Sequence, residues 1–145
     1  MLKTLTGTLL LLVAMPATAS AYFPSYFQAM FATFPDCSNG SVKARIIDKF
    51  NWADRNTFYR GISIRTIDYE RDRGVESFGE AGIGAPIDRR YCKAKAWLSN
   101  GKSNTVYYRI ERGMGLAGTG YKVEFCLPGY DPWHVYDGSC RALRR

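Results

Sequence analysis

The chain has 145 residues, a formal net charge of +7, 46% hydrophobic residues and 23% charged residues. That is enough chain for one domain with its own core. A basic balance of this kind favours anionic partners such as polysaccharide, lipid headgroups, cell-wall polymer or an acidic protein.

Residues 1–21 have the order of a cleavable secretory signal peptide. Lys3 supplies the positive charge, Leu9 to Met15 the apolar run, and Pro16 the helix break. Ala19, Ser20 and Ala21 supply the small residues that a signal peptidase reads, so cleavage is expected before Tyr22. Residues 22–145 are then one periplasmic or secreted domain. The apolar run is roughly half of the about 20 residues that a spanning helix needs. No later segment is long and apolar enough to span, so no transmembrane segment is expected after cleavage. Export also turns the basic charge toward envelope and extracellular anions, and no nucleic-acid partner is expected.

Tyr22 to Phe34 is rich in aromatics. Phe23, Phe27, Phe31 and Phe34 recur at helical spacing, which predicts a short amphipathic helix ended by Pro35. Ser38, Asn39, Gly40 and Ser41 form a turn and a helix-capping cluster. Val42, Ile46, Ile47 and Phe50 then mark one face of a helix from Ser41 to Arg55. Four strands follow: Thr57 to Arg71, Asp88 to Ser99, Ser103 to Arg112, and Tyr121 to Leu127. The glycine-rich stretch from Gly74 to Pro86 separates the first two as a loop. Asn100-Gly101 is a strong hairpin-turn signal between the second and third. Pro128 to Arg145 is turn-rich and expected to be irregular.

One helix cannot cover both faces of a four-stranded sheet. The expected fold is α+β: a curved four-stranded antiparallel sheet packed around one long helix, a cystatin-like roll, with a short N-terminal aromatic helix and two disulfides. That likeness is one of fold and brings no function with it.

Strand alternation sorts the faces. Cys92, Ala94, Ala96 and Leu98 are small or apolar and face the helix, leaving Tyr91, Lys93, Lys95 and Trp97 outside. Val106, Tyr108 and Ile110 face in, and Thr105, Tyr107, Arg109 and Glu111 face out. Tyr121, Val123 and Phe125 face in, and Lys122, Glu124 and Cys126 face out. Ile62 and Ile64 mark the inner side of the first strand, with Tyr59, Arg65 and Tyr69 on its other side.

The four cysteines are Cys37, Cys92, Cys126 and Cys140. In an oxidising compartment an even number implies two disulfides. A zinc site would show cysteine pairs about two to four residues apart, and no pair here is that close. Sulfurs on opposite faces of a sheet cannot meet, because bridged Cα atoms lie only about 4.4–6.8 Å apart. Cys92 therefore pairs with Cys37, and Cys126 with Cys140, which draws the tail across the outer face.

The outer face gathers the candidate binding residues Arg65, Tyr91, Lys93, Lys95, Trp97, Tyr107, Arg109 and Lys122. Aromatics interleaved with cations suit stacking and anion contacts. The competing reading is that the tail packs there through Tyr130, Trp133 and Tyr136 as a second small core.

Other chemical motifs are weak. Gly113-Met114-Gly115-Leu116-Ala117-Gly118 matches the dinucleotide-binding glycine pattern, but a strand follows it instead of the required helix. No cofactor is expected. His134 is the sole histidine, so no multi-histidine metal site can form and no metal is expected. No serine near it has a nucleophile context, and no catalytic residue is assigned. Asp68, Glu70, Glu76 and Glu80 are the acids that a carboxylate-based hydrolase would draw on.

Arg89-Arg90-Tyr91-Cys92, Val106-Tyr107-Tyr108, Glu124-Phe125-Cys126 and Cys140-Arg141 together resemble small secreted uncharacterised proteins of alphaproteobacteria, over the C-terminal part of the chain only. The resemblance implies a bacterial periplasmic or secreted setting and no catalytic residue. The expected function is a small basic binding or accessory module that recognises an anionic ligand or a partner protein, an inhibitor among the options. Two alternatives stay open: a small hydrolase of envelope polymer, and a structural envelope or assembly-accessory protein.

Overall fold

The computed structural model describes residues 34–76, 87–113 and 120–145. The expected leader 1–21, the aromatic segment 22–33, Glu80 with most of the expected Gly74–Pro86 loop, and the glycine motif beyond Gly113 lie outside the described residues.

Helix α1 spans Gly40–Ala53. Asn39 caps it, its side-chain oxygen accepting from Ser41 N at 3.0 Å and Val42 N at 3.3 Å. Val42, Ile46 and Phe50 recur every fourth residue and are buried, so the helix lays one apolar stripe on the sheet. The chain then widens into a π-helical turn, Asp54–Phe58, which ends at Tyr59 in a left-handed conformation (φ 51°).

The strand expected from Thr57 therefore starts later, and β1 runs Ile64–Glu76. Asp54 causes the delay. Its buried carboxylate accepts from Arg60 Nε at 3.0 Å and from Ile62 N at 2.9 Å, so residues 54–62 form a corner instead of a strand. Asn51 completes the corner by pairing with the backbone of Ile64, accepting from its N–H at 2.8 Å and donating to its carbonyl at 3.3 Å. At its far end β1 enters the stretch expected to be loop, and Gly74, Val75 and Glu76 pair with Tyr91, Arg90 and Arg89.

Strand β2 spans Arg89–Leu98, β3 Ser103–Arg112 and β4 Tyr121–Cys126. They form one antiparallel meander in the order β1-β2-β3-β4. Pairing of β2 with β3 is regular, whereas β1 slips against β2 at three places, between Ile64 and Thr66, Asp68 and Arg71, and Asp72 and Gly74. Because of the first slip Ile67 joins Ile64 on the inner face, and Ile62 packs there only in part.

The core lies between α1 and the inner face. It contains Cys92, Ala94, Ala96 and Leu98 of β2, Val106, Tyr108 and Ile110 of β3, and Val123 of β4. Alanines at 94 and 96 let the helix approach closely. Cys37 is bonded to Cys92, with Cα atoms 5.7 Å apart, and this pins the start of α1 to the sheet. The Tyr108 hydroxyl donates to the Cys37 carbonyl at 2.5 Å. Burial, and behind it Glu70, Asp36 and Asp72, push that phenol above its ordinary range.

The second disulfide joins Cys126 to Cys140 on the outer side. Cys140 lies within a short 3-10 segment, Gly138–Leu143, where an irregular tail is expected. Among the described residues no helix is long and apolar enough to cross a membrane.

Candidate functional site

Cross-strand neighbours share a face, so the strand register assembles the outer surface. Lys93 sits between Arg71 and Tyr107, Tyr91 between Gly74 and Arg109, and Trp97 between Thr66 and Ser103. Arg109 in turn faces Glu124, and Glu111 faces Lys122. Two halves with different fates result.

The tail closes one half. Leu143 is buried with Cys126 and Cys140, and Tyr107 and Tyr136 pack around them. Tyr91 is buried at 8% exposure, its hydroxyl donating to Glu76 Oε2 at 3.0 Å. Arg145 reaches back to Glu76 at 2.8 Å and lies over the Tyr91 ring. The cations of this half already have acidic partners. Arg109 pairs with Glu124 and Glu111, and Lys122 with Glu124 at 2.7 Å.

The titration of these groups follows the pairing. Burial would raise the Glu124 carboxyl, but Lys122 and Arg109 outweigh it and hold it below its ordinary value. Burial would lower the Arg109 guanidinium, yet the Tyr91 hydroxyl and the two glutamates raise it. The hydrogen bond to Glu124 raises Lys122.

The other half is open. Lys95 Nζ lies 4.5 Å from the Trp97 ring centre and 6.0 Å from that of Tyr69. Lys93 Nζ lies 5.8 Å from the Tyr107 ring centre, and the tail brings Arg144 over the same ring at 4.7 Å. Among the described residues, Arg71, Lys93, Lys95 and Arg144 have no carboxylate within ion-pairing distance. Asp68 is paired with Lys95 in register, but its carboxylate accepts from the Thr66 hydroxyl at 3.4 Å. Arg65 is exposed beside the hairpin turn and donates to the Ser99 carbonyl at 3.4 Å.

The expected face thus divides. Lys93, Lys95 and Trp97 stay together around an open band, Tyr107 stands at its border with the tail, Arg65 stands near its hairpin end, and Tyr91, Arg109 and Lys122 belong to the closed half. Tyr59 lies off the sheet, in the corner before β1. Of the tail aromatics, Tyr136 alone packs at the closed half. Tyr130 packs on Phe50 at 5.8 Å between ring centres, and Trp133 on Phe58 at 5.1 Å.

Sequence reasoning missed Arg71 and Arg144. Arg71 was within reach, because strict alternation from Ile64 puts it outside with Arg65 and Tyr69, and the slips between Ile64 and Thr66 and between Asp68 and Arg71 offset one another. Arg144 was within reach: a bridge that carries the tail across the face brings the residues after Cys140 with it.

The acids considered for hydrolysis are not gathered. Glu70 pairs with Lys43 of α1 at 2.7 Å, while Glu76 holds Tyr91 and Arg145 under the tail. All four cysteines are in bridges. Among the described residues no group of His, Cys, Asp and Glu could hold a metal ion. In comparisons with known protein families, curated proteins and solved structures, nothing matches this chain.

Proposed function

We propose that this protein is an exported binding module that holds an anionic polymer or the acidic surface of a partner protein on the open half of its outer face. The observation that carries the reading is the set of four cations without a carboxylate partner in the described residues: Lys93, Lys95 and Arg144, each over an aromatic ring, and Arg71, the cross-strand neighbour of Lys93. A cation resting on a ring face keeps its charge available while its stem is packed. The paired cations Arg109 and Lys122 have less attraction left to offer, since Glu124 and Glu111 are already folded against them.

Export fits the two bridges, because disulfides persist in oxidising compartments. The leader-like residues 1–21 and the likeness to secreted alphaproteobacterial proteins belong to the same reading, with the periplasm or the medium as its setting. A sheet curved around α1 in the cystatin-like manner would present this face as one continuous surface.

Retention on heparin-agarose tests the proposal, heparin standing in for an anionic polymer. Lys93→Glu with Lys95→Glu is expected to weaken binding at least about tenfold, since each reversal replaces attraction by repulsion. Wild-type retention should fall steeply with added salt. Lys122→Ala should bind as wild type. Equal loss in both variants, or none in the first, would sink the reading.

A further inference from the structure

None of Arg71, Lys93, Lys95 and Arg144 lines a second feature, a cleft of about 790 Å³ between the last turn of α1, the end of β4 and the 127–136 loop. Trp52, Trp133 and Val135 line it and remain 60%, 68% and 65% exposed. Large apolar groups stand in water at a free-energy cost, and a concentration of them in one cleft marks a contact surface. Trp133 is not loose, because Phe58 packs against it at 5.1 Å between ring centres.

The polar lining is as telling as the indoles. Asp131 is held in place, its two oxygens accepting from Val135 N and Tyr136 N, each at 3.1 Å. A carboxylate fixed in this way keeps further lone pairs for outside donors. Asp48 and Arg55 also line the cleft, exposed and without an ion pair among the described residues. Lys49 donates to the Val123 carbonyl at 3.1 Å, and Arg60 is paired with Asp54.

With Asp54 included, the charges cancel: Lys49, Arg55 and Arg60 stand against Asp48, Asp54 and Asp131. On a chain of net charge +7, this is a place where an anion gains no advantage. An alkyl chain fits no better, since it would strip water from Asp48, Asp131 and Arg55 without replacing it. A neutral sugar meets both demands. Its C–H face stacks on an indole while its hydroxyls bond to the fixed Asp131, to Asp48 and to a guanidinium.

We propose that this cleft binds a short neutral oligosaccharide, stacked on Trp52 and Trp133 and hydrogen-bonded to Asp48, Arg55 and Asp131. The site is separate from the basic face and stands whether or not that face binds anions.

Titration of ¹⁵N-labelled protein with the tetrasaccharides of N-acetylglucosamine and of glucose (β-1,4-linked) tests this. The indole N–H signals of Trp52 and Trp133 should shift saturably with at least one of them, while that of Trp97 on the outer face stays still. Trp52→Ala and Trp133→Ala should each weaken binding about fivefold or more, as loss of a stacking platform does. Both residues are exposed, and circular dichroism checks that the variants fold. Lys93→Glu with Lys95→Glu should bind the sugar unchanged, so failure of the basic-face reading leaves this result readable. No shift with either sugar overturns the proposal. So does a shift of the two indoles with decanoate but not with sugar, which makes the cleft an apolar pocket. A shift with protein concentration alone, without a sugar effect, makes it a self-association face and overturns it equally.

Discussion

At the scale of single residues, Asp54 decides how the helix hands over to the sheet. It is 3% exposed and binds Arg60 and the Ile62 N–H. Burial by itself would raise its carboxyl, but Arg60 and the N–H groups of Ile62 and Gly61 prevail and hold it below its ordinary 3.8. A depressed carboxyl stabilises the fold at pH values above the unfolded pKa, and that contribution fades as the pH falls through the folded pKa. Glu124, depressed from 4.5, acts in the same direction. Asp54→Asn is expected to cost about 2 kcal/mol near neutral pH, because it leaves Arg60 without its partner. It should also flatten the loss of thermal stability below about pH 4. Melting curves from neutral to acid pH for both proteins check the two effects together. Asp54 gave no sign of this role in the sequence. An acid near a helix end is unremarkable until the tertiary corner brings Arg60 and Ile62 around it.

At the scale of elements, the edges of the sheet need an explanation, since an unpaired strand edge invites association. β1 is interrupted by its three slips. β4 is straight and short, and α1 covers it. Arg45 Nη1 donates to the Tyr121 carbonyl at 3.0 Å and Lys49 Nζ to the Val123 carbonyl at 3.1 Å. Two cations one helical turn apart thus occupy alternate carbonyls of the open edge, matching the helix rise to the strand pleat. Arg45→Ala with Lys49→Ala should lower stability by about 1–2 kcal/mol. It should also produce concentration-dependent self-association, visible as earlier elution and a larger scattering mass. A monomer at every concentration would show that the edge needs no such guard. In the sequence Arg45 and Lys49 look like an ordinary solvated helix face. Only the crossing of α1 over β4 gives them acceptors.

For the molecule as a whole, two bridges divide the labour. Cys37–Cys92 closes a separation of 55 residues and fixes α1 to the core, and Cys126–Cys140 closes 14 and straps the tail. Loop-closure entropy assigns about 4 kcal/mol to the first and about 3 to the second. Replacing both members of the first pair by serine should therefore lower the melting temperature more than replacing the second pair. Loss of the second should free the tail and expose Tyr91, which a tyrosine-labelling reaction under native conditions would detect. Equal melting shifts, or a protected Tyr91, would contradict this division. The α+β class, the helix, three of the four strands, the inner face of β2 to β4 and the separation of Cys92 from Cys126 were all legible from periodicity and turn chemistry, since these are local properties of the chain. The bulged register of β1, the corner at Asp54, the pairing of Arg109 and Lys122 with Glu124, and the cleft between Trp52 and Trp133 were not. Each depends on groups far apart in sequence meeting in space. The sequence by itself determined which residues of β2 to β4 face inward and which sulfurs could meet. The tertiary structure alone decided which outward cations remain free, because a charge is available only when no distant carboxylate has been folded against it.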